Sequence, residues 1–252
     1  HVYAIAESNG IDAYTRDYFA NNDPKLKAAL DSIINDLRDA KEYGSILTVA
    51  PVDFAALYAR VEEVQNDISL HREAALATIL PLILVAEVLA QQYDVVVTNP
   101  PYMSLKGMPK ALFEYVMKNH STTKNDIYCV FIEKCLKQYA KAHGYVAMIT
   151  QQVWMFTSGF EKFRKDLLAN YTINSLIQLG TKAFEDISGE VVQTCTFIIK
   201  SDRIAKSKTN FFRLVDENSS SSKENAFLAR KERYEVSSEQ FSAVPGAPIC
   251  YW

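Results

Sequence analysis

"QYDVVVTNPPYMSLKG", residues 92–107, runs the valines Val95 to Val97 into Asn99, Pro100, Pro101 and Tyr102. A continuous apolar run bounded by turn residues predicts a strand buried on both faces of a parallel sheet. In open α/β sheets ligands bind beyond the carboxyl ends of the strands, and that is where Asn-Pro-Pro-Tyr falls. Asn99 brings an amide oxygen as acceptor. Pro100 and Pro101 have no N–H, so their carbonyls are presented from a stiff backbone. Tyr102 adds a flat ring on which a planar molecule can stack. Together they suit an amino group on a flat substrate, with one acceptor for each of its hydrogens. The plain alternative is a rigid turn that ends a strand.

Downstream, a basic loop runs over 103–124, followed by "DIYCVFIEKCLKQYAKAHG", residues 126–144. Asp at its start and Gly at its end predict a helix. "YVAMIT" (145–150) is the next buried strand, "FEKFRKDLLAN" (160–170) a helix and "TINSLIQL" (172–179) a strand. The loop "GTKAFEDISGE" (180–190) leads into a last strand, "VVQTCTFIIK" (191–200). Strand and helix alternate as in an α/β sheet with crossover helices. The short loop between the last two strands predicts an antiparallel hairpin at the sheet edge. Beyond Lys200, "ENSSSSKEN" (217–225) reads as a polar surface loop and "VPGAP" (244–248) as a turn.

Upstream, "VYAIA" (2–6) predicts a short strand, and residues 23–90 read as helical. "DPKLKAALDSIINDLRDAKEYG" (23–44) opens on an Asp-Pro cap signal and stops at Gly44. "PVDFAALYARVEEVQND" (51–67) and residues 70–90 add further helices. The apolar run 74–90 is shorter than the about 20 residues that span a bilayer. It carries Glu87 and Pro81, and reads as a buried helix bent or broken at the proline.

The chain has 252 residues, of which 48% are hydrophobic and 23% charged. That supports a sizeable core of an ordinary soluble class. No N-terminal stretch combines a basic start, an apolar core and a cleavage site, so neither a secretory signal nor a membrane partner is expected; the cysteine usage suits a reduced, cytoplasmic location. Cys129, Cys135, Cys195 and Cys250 form no Cys-x-x-Cys pair, and the four histidines show no metal spacing. Neither a metal site nor a disulfide framework is expected. The net charge of −3 is unevenly placed: residues 1–98 hold 7 Lys/Arg and 15 Asp/Glu, whereas residues 99–200 hold 12 and 8. A local basic excess that begins at the motif suits a polyanion, although a solvated helix face carries the same charges.

"DVVVTNPPY" resembles motif IV of the S-adenosylmethionine-dependent amino methyltransferases that act on N6 of adenine in DNA. Residues 125–150 resemble the helix and strand that follow in that family, and residues 179–200 its closing loop and hairpin. With "EYGSIL" (42–47), "VWMFTSGFEKFR" (153–164) and "PGAPICYW" (245–252), the chain is most similar to the adenine methyltransferases of bacterial phage-defence (BREX) systems. The resemblance covers most of the chain and is weakest over 1–40. It implies an α/β fold, the C-terminal half of a Rossmann-like class I methyltransferase sheet with a preceding helical insertion. It also implies a site-specific, adenine-specific DNA methyltransferase that uses S-adenosyl-L-methionine, as found in restriction–modification and phage defence. Its partners would be double-stranded DNA with a flipped adenine and other phage-defence subunits.

Carried onto this sequence, the resemblance makes Asn99, Pro100, Pro101 and Tyr102 the catalytic motif. The Asn99 side chain and the Pro100 carbonyl would accept from the adenine amino group. Tyr102 and Phe184 would stack on the flipped base, and Lys106 and Lys124, with Lys110 and Lys118, would touch phosphates. Phe131 and Asp126 would contact the cofactor. The alternatives are a hairpin core residue for Phe184, a solvated loop for the lysines, a core residue for Phe131 and a helix cap for Asp126.

One family feature is missing. None of the eight glycines forms Gly-x-Gly, the turn that cradles a cofactor after a first strand. Glu7 after "VYAIA" resembles the acidic residue of the next strand only if that loop precedes it. The expected organisation is therefore a fragment. Residues 1–90 would be a short strand plus an acidic helical insertion, 91–200 the catalytic half, and 201–252 a linker and the start of a target-recognition region. The cofactor loop is expected upstream of His1. Two other readings stay open: a glutamine N5-methyltransferase acting on a protein, and a non-catalytic DNA- or partner-binding module. The isolated 252 residues should show no micromolar binding of S-adenosylmethionine in calorimetry; such binding would overturn the fragment reading.

Overall fold

Aspartates cap three helices of the first ninety residues. Asp12 caps α1 (Ala13–Ala20), accepting from Thr15 N–H at 2.8 Å, and Asp23 caps α2 (Pro24–Asp36), accepting from Lys25 and Leu26. After α3 (Ala40–Tyr43), Asp53 caps α4 (Phe54–Gln65), accepting from Ala56. Part of the acidic charge of this region is thus spent on unpaired N–H groups at helix starts. The computed structural model describes residues 1–184 and 192–252. They form two compact units, His1–Gln91 and Gln92–Trp252.

The first unit is helical. The helix predicted over 23–44 is in two pieces, because Leu37 leaves the helix to be fully buried and Asp39 takes a left-handed conformation. The last helix, α5 (Arg72–Ala90), runs unbroken through Pro81, contrary to one of the expected outcomes. It is long and apolar enough to cross a membrane by length and composition. Here Ala75, Ile79, Ile83 and Ala86 are fully buried within the helical unit, where α5 meets α1, α2 and α4. Arg60 on α4 ties this core by donating to the carbonyls of Phe19 and Tyr18. The strand expected at 2–6 is absent: Val2 and Tyr3 are exposed. A strand needs a neighbour for its N–H and C=O groups, and every strand among the described residues belongs to the second unit.

The second unit is built on a six-stranded sheet in the order β1-β2-β4-β3-β5-β6. The strands are β1 (Tyr93–Thr98), β2 (Ala140–Gln151), β3 (Thr172–Gly180), β4 (Thr194–Lys200), β5 (Lys208–Arg213) and β6 (Arg233–Ser237). β1 pairs parallel with β2, from Val95 opposite Tyr145 to Thr98 opposite Met148. β4 runs antiparallel to both β2 and β3, and β3 runs parallel to β5. The helices are α6 (Lys110–Asn119), α7 (Ile127–Lys134), α8 (Glu161–Asn170), α9 (Ser220–Leu228) and α10 (Ser238–Ser242). β1, β2, β3 and β5 therefore point the same way.

Several expectations change. β1 is an edge strand, with Val95 57% and Val97 73% exposed, so it is not buried on both faces. The helix from Asp126 gives way to a π turn at Cys135–Tyr139, and β2 already begins at Ala140. Gly144 is a close-approach glycine rather than a helix stop, since a Cβ there would stand 3.0 Å from the Asp94 carbonyl oxygen. The hairpin of β3 and β4 lies inside the sheet, because residues 208–237 supply two further strands. "ENSSSSKEN" is largely helix: Ser219 and Ser222 form a reciprocal capping box that starts α9. Residues 185–191, part of the predicted loop and strand, lie outside the described residues.

Residues 201–252 are thus integral to the second unit and not a linker. Tyr251 stacks on Phe211 at 4.3 Å and donates to Gln178 Oε1 at 2.8 Å. Arg164 on α8 is 1% exposed. Its guanidinium donates to the carbonyls of Trp154 (2.9 Å), Thr157 (2.6 Å), Gly246 (2.7 Å) and Ala247 (3.1 Å). Glu133 plays a similar part on α7, accepting from Thr123 Oγ1 at 2.5 Å and Lys137 Nζ at 2.8 Å and pairing with His120 Nδ1 at 3.0 Å. It holds the end of the basic segment against that helix.

Two outcomes follow for stability. Arg164→Met should lower the unfolding free energy by about 3 kcal/mol in urea titrations, because four buried carbonyls lose their donors. Arg164→Lys should recover little, since an ammonium lacks the planar fork. At Glu133, burial alone would raise the carboxyl; hydrogen bonds from His120, Lys137 and Thr123 outweigh it and bring it from 4.5 down to about 2. A depressed folded-state pKa gives stability that is present above about 4.5 and is lost as pH falls toward 2. The urea midpoint should fall between pH 5 and pH 2.5, an interval chosen about those two pKa values, by the equivalent of about 2 kcal/mol from this group. Glu133→Gln should flatten that part of the profile; an unchanged profile refutes the assignment.

Candidate active site

The carboxyl ends of β1, β2, β3 and β5 lie along one edge of the sheet. Asn99 leaves that edge from β1, Gln151 and Gln152 from β2, and Gly180 from β3. Phe184 is four residues beyond Gly180, on the loop that starts at the same edge, and is 38% exposed. Gly180 turns the chain with φ +67°, where a Cβ would meet Val215 at 3.0 Å, so this turn needs glycine. The sheet direction thus brings Asn99–Tyr102 and Phe184 to one side of the molecule although about eighty residues separate them in sequence.

Within the motif, Asn99 is exposed, Pro100 is buried, Pro101 is exposed and Tyr102 is half-buried. The Tyr102 hydroxyl donates to Asn99 Oδ1 at 3.5 Å, a long contact that leaves the amide oxygen open to a better donor. The Tyr102 ring meets Tyr128 edge-on at 5.9 Å and 82°, and Tyr128 in turn lies beside Phe160 at 6.3 Å. Burial pushes the Tyr102 hydroxyl up to about 12. It therefore stays neutral at physiological pH, a ring with a donor and no charge.

The other predicted residues are placed as follows. Lys106 is exposed in the 3₁₀ turn Leu105–Gly107, and Lys124 is half-buried. Lys110 and Lys118 are exposed on α6, with Lys110 paired to Glu114 at 3.9 Å. Phe131 is half-buried on α7, three residues after Tyr128 and so on the same side of that helix. Asp126 is 8% exposed and caps α7; its Oδ1 accepts from Tyr128 N–H at 3.4 Å and from Met103 N–H at 3.0 Å. Burial raises its carboxyl above the usual range. The structure thus gives Asp126 an occupation that the sequence reading held only as the alternative.

Two groups went unnoticed in sequence. Gln152 is 6% exposed; its N–H donates to the Gln193 carbonyl at 3.0 Å and its side-chain amide donates to Gln193 Oε1. This clasp closes the base of the segment that carries Phe184. Gln152 Oε1 itself is buried without a partner among the described residues. Thr150 below it accepts from Trp154 Nε1 at 3.2 Å. No periodicity or cap marks a glutamine for such a role; only the β2–β4 register does, by placing Gln151 opposite Thr194.

As to the cofactor, these residues fit part of the need. The described residues offer an aromatic side chain, Phe131, on the helix whose Tyr128 meets Tyr102, and the sequence has no Gly-x-Gly turn to take an adenosyl group.

Comparison with known proteins bears on the family and the fold. The family of Eco57I restriction-modification methylases matches residues 15–184. Over 238 residues the chain is 38% identical to the adenine-specific methyltransferase BrxX of Escherichia coli O9:H4 (strain HS), covering 92% of this chain and 20% of that protein. It is 34% identical over 241 residues to the adenine-specific methyltransferase PglX of Lacticaseibacillus casei (strain Zhang), covering 88% and 19%. The chain spans about a fifth of the length of these curated relatives. A solved structure from work on complex assembly and conformational transition of the type I restriction–modification system matches 97% of this chain and 65% of that one, with TM-score 0.51 and 13% identity. That likeness bears on the fold alone, and agrees with a Rossmann-like α/β sheet. With the family matched from α1 to Phe184, across Asn-Pro-Pro-Tyr and the parallel pair that presents it, the chain belongs to the Eco57I restriction–modification methylases.

Proposed function

We propose that the protein containing these residues transfers a methyl group from S-adenosyl-L-methionine to the N6 amino group of adenine in DNA. The observation that carries this is the exposed Asn99 amide, next to the Pro100 carbonyl and the Tyr102 ring, at the carboxyl end of β1. Family membership and relatives named as adenine-specific methyltransferases support it. S-adenosylmethionine supplies an electrophilic methyl group. The chain's own residues hold the base. Asn99 Oδ1 and the Pro100 carbonyl would accept hydrogen bonds from the two amino N–H groups, leaving the nitrogen lone pair free to attack in line; as the N–C bond formed the donor's S–C bond would break, S-adenosylhomocysteine would leave, and the nitrogen would lose one proton to solvent. Positioning and electrostatics then carry the reaction, with no covalent enzyme intermediate.

Adenine within a duplex does not present N6 to such a pocket, so the base is flipped out. Tyr102 stacks on one face and Phe184 closes from the loop after β3. Lys106 and Lys124 lie in the basic segment that follows the motif and contact phosphates. Phe131 packs on the cofactor. The glycine-rich cofactor loop belongs to residues other than these 252, a reading supported by the absence of Gly-x-Gly and by the unpaired outer edge of β1 among the described residues. Residues 92–252 are the base-holding part, their last strands leading toward target recognition. A cytoplasmic setting suits the four free cysteines, and other phage-defence subunits are the expected protein partners.

The experiment is a methyl-transfer assay with the full-length protein on duplex DNA and on a glutamine-bearing release-factor substrate. Methylation of DNA adenine is expected, and Asn99→Ala should lower kcat by about 100- to 1000-fold. Transfer to glutamine alone, or unaltered activity in the Asn99→Ala protein, would sink the reading.

A further inference from the structure

Met103, straight after Tyr102, is tied by both of its main-chain groups. Its N–H donates to Asp126 Oδ1 at 3.0 Å, and its carbonyl accepts from Ile127 N–H at 3.0 Å. Ser104 and Asp126 also form an isolated antiparallel bridge. On the other side the motif leaves β1 one residue after Thr98, which is in register with Met148. Two of the four residues between are prolines, whose φ is fixed. Asn99–Tyr102 is therefore strung between a strand end and one buried carboxylate.

An N-cap needs only to reach the N–H groups of the first helical turn, and Ser, Thr, Asn and Asp all do so. Asp126 does this for α7 through Tyr128. Reaching Met103 with the same oxygen asks more: a planar acceptor at carboxylate or carboxamide length. The bond to Met103 spans 23 residues and adds nothing to helix capping. What it fixes is the exit of the motif.

We propose that Asp126 is a positioning residue of the methyl-transfer site. By holding Met103 it sets where the Asn99 amide, the Pro100 carbonyl and the Tyr102 ring stand relative to the flipped base, and it is not a cofactor ligand. The inference rests on the adenine-methylation reading. A displacement of about 1 Å in such a site costs about 100-fold in rate, which is the scale expected if the hold is lost.

Three variants of the full-length protein separate the possible roles. Asp126→Asn keeps an oxygen for both Met103 and the cap, and should keep kcat within a few-fold. Asp126→Ser keeps the cap but is too short for Met103. It should lower kcat about 100-fold while the KM for S-adenosylmethionine and the melting temperature stay near wild type. Amide exchange at Met103 should accelerate in Asp126→Ser and Asp126→Ala but not in Asp126→Asn. Wild-type kcat in Asp126→Ser would make Asp126 an ordinary cap and overturn the proposal. A tenfold weaker affinity for S-adenosylmethionine with unchanged saturated kcat would make it a cofactor ligand and overturn it too. If Asp126→Ser does not fold, Asp126→Asn still decides: a 100-fold loss of kcat with Met103 protection intact refutes a role through holding. A wild-type protein inactive on DNA would count against the function proposed above, whereas Met103 exchange would still test the hold.

Discussion

Four main-chain carbonyls converge on the buried guanidinium of Arg164, and much of the second unit depends on them. Two belong to the turn that leaves β2, and two to Gly246 and Ala247 near the other end of the unit. The Ile249 N–H donates to the Met155 carbonyl at 2.9 Å and extends the same junction. A cation with five N–H groups in a plane suits this arrangement, because no side chain has to be paired and no carboxylate has to be desolvated. The turn after β2 is thereby fixed, and with it Trp154, which lies edge-on to Phe163 and Phe197.

Once the turn and the sheet are fixed, the site follows from strand direction. Parallel pairing of β1 with β2, and of β3 with β5, sends their carboxyl ends to one side. Loops of very different length then meet there. Two of them are held at the base, one by the Met103 N–H on the Asp126 carboxylate and the other by main-chain and side-chain amide bonds between Gln152 and Gln193. Function is concentrated in loops, but these loops are braced by a carboxylate and an amide that carry no obvious chemistry of their own.

What could be read in the sequence was local or carried by a motif. Asp23 and Asp126 announce helix starts because a cap is a matter of three or four neighbouring residues, whereas the short helix that Asp12 caps went unread. Asn99–Tyr102 announces itself because two prolines and an amide after a valine run have few other uses. What escaped was set by distant partners. The serines at 219–222 look like a loop until Ser219 and Ser222 are seen to cap each other. The placement of β5 beside β3 depends on Phe211 and Tyr251, which are forty residues apart in the chain. Gly144 looks like a helix stop, and only the crowding carbonyls of Asp94, Lys141 and Tyr93 show why a residue without a Cβ suits the position.

The outward valines of β1 have a practical consequence. Val95 and Val97 face solvent along a strand that, among the described residues, pairs on one side only. Natural edge strands usually carry lysine, proline or a bulge to discourage pairing with a second chain. β1 offers Asp94, which is drawn to Lys141 on its own sheet, and a break in register between Tyr93 and Val95. Past that break the register is regular from Val95 to Thr98, and this short apolar stretch is where a second chain would find a template for edge-to-edge pairing.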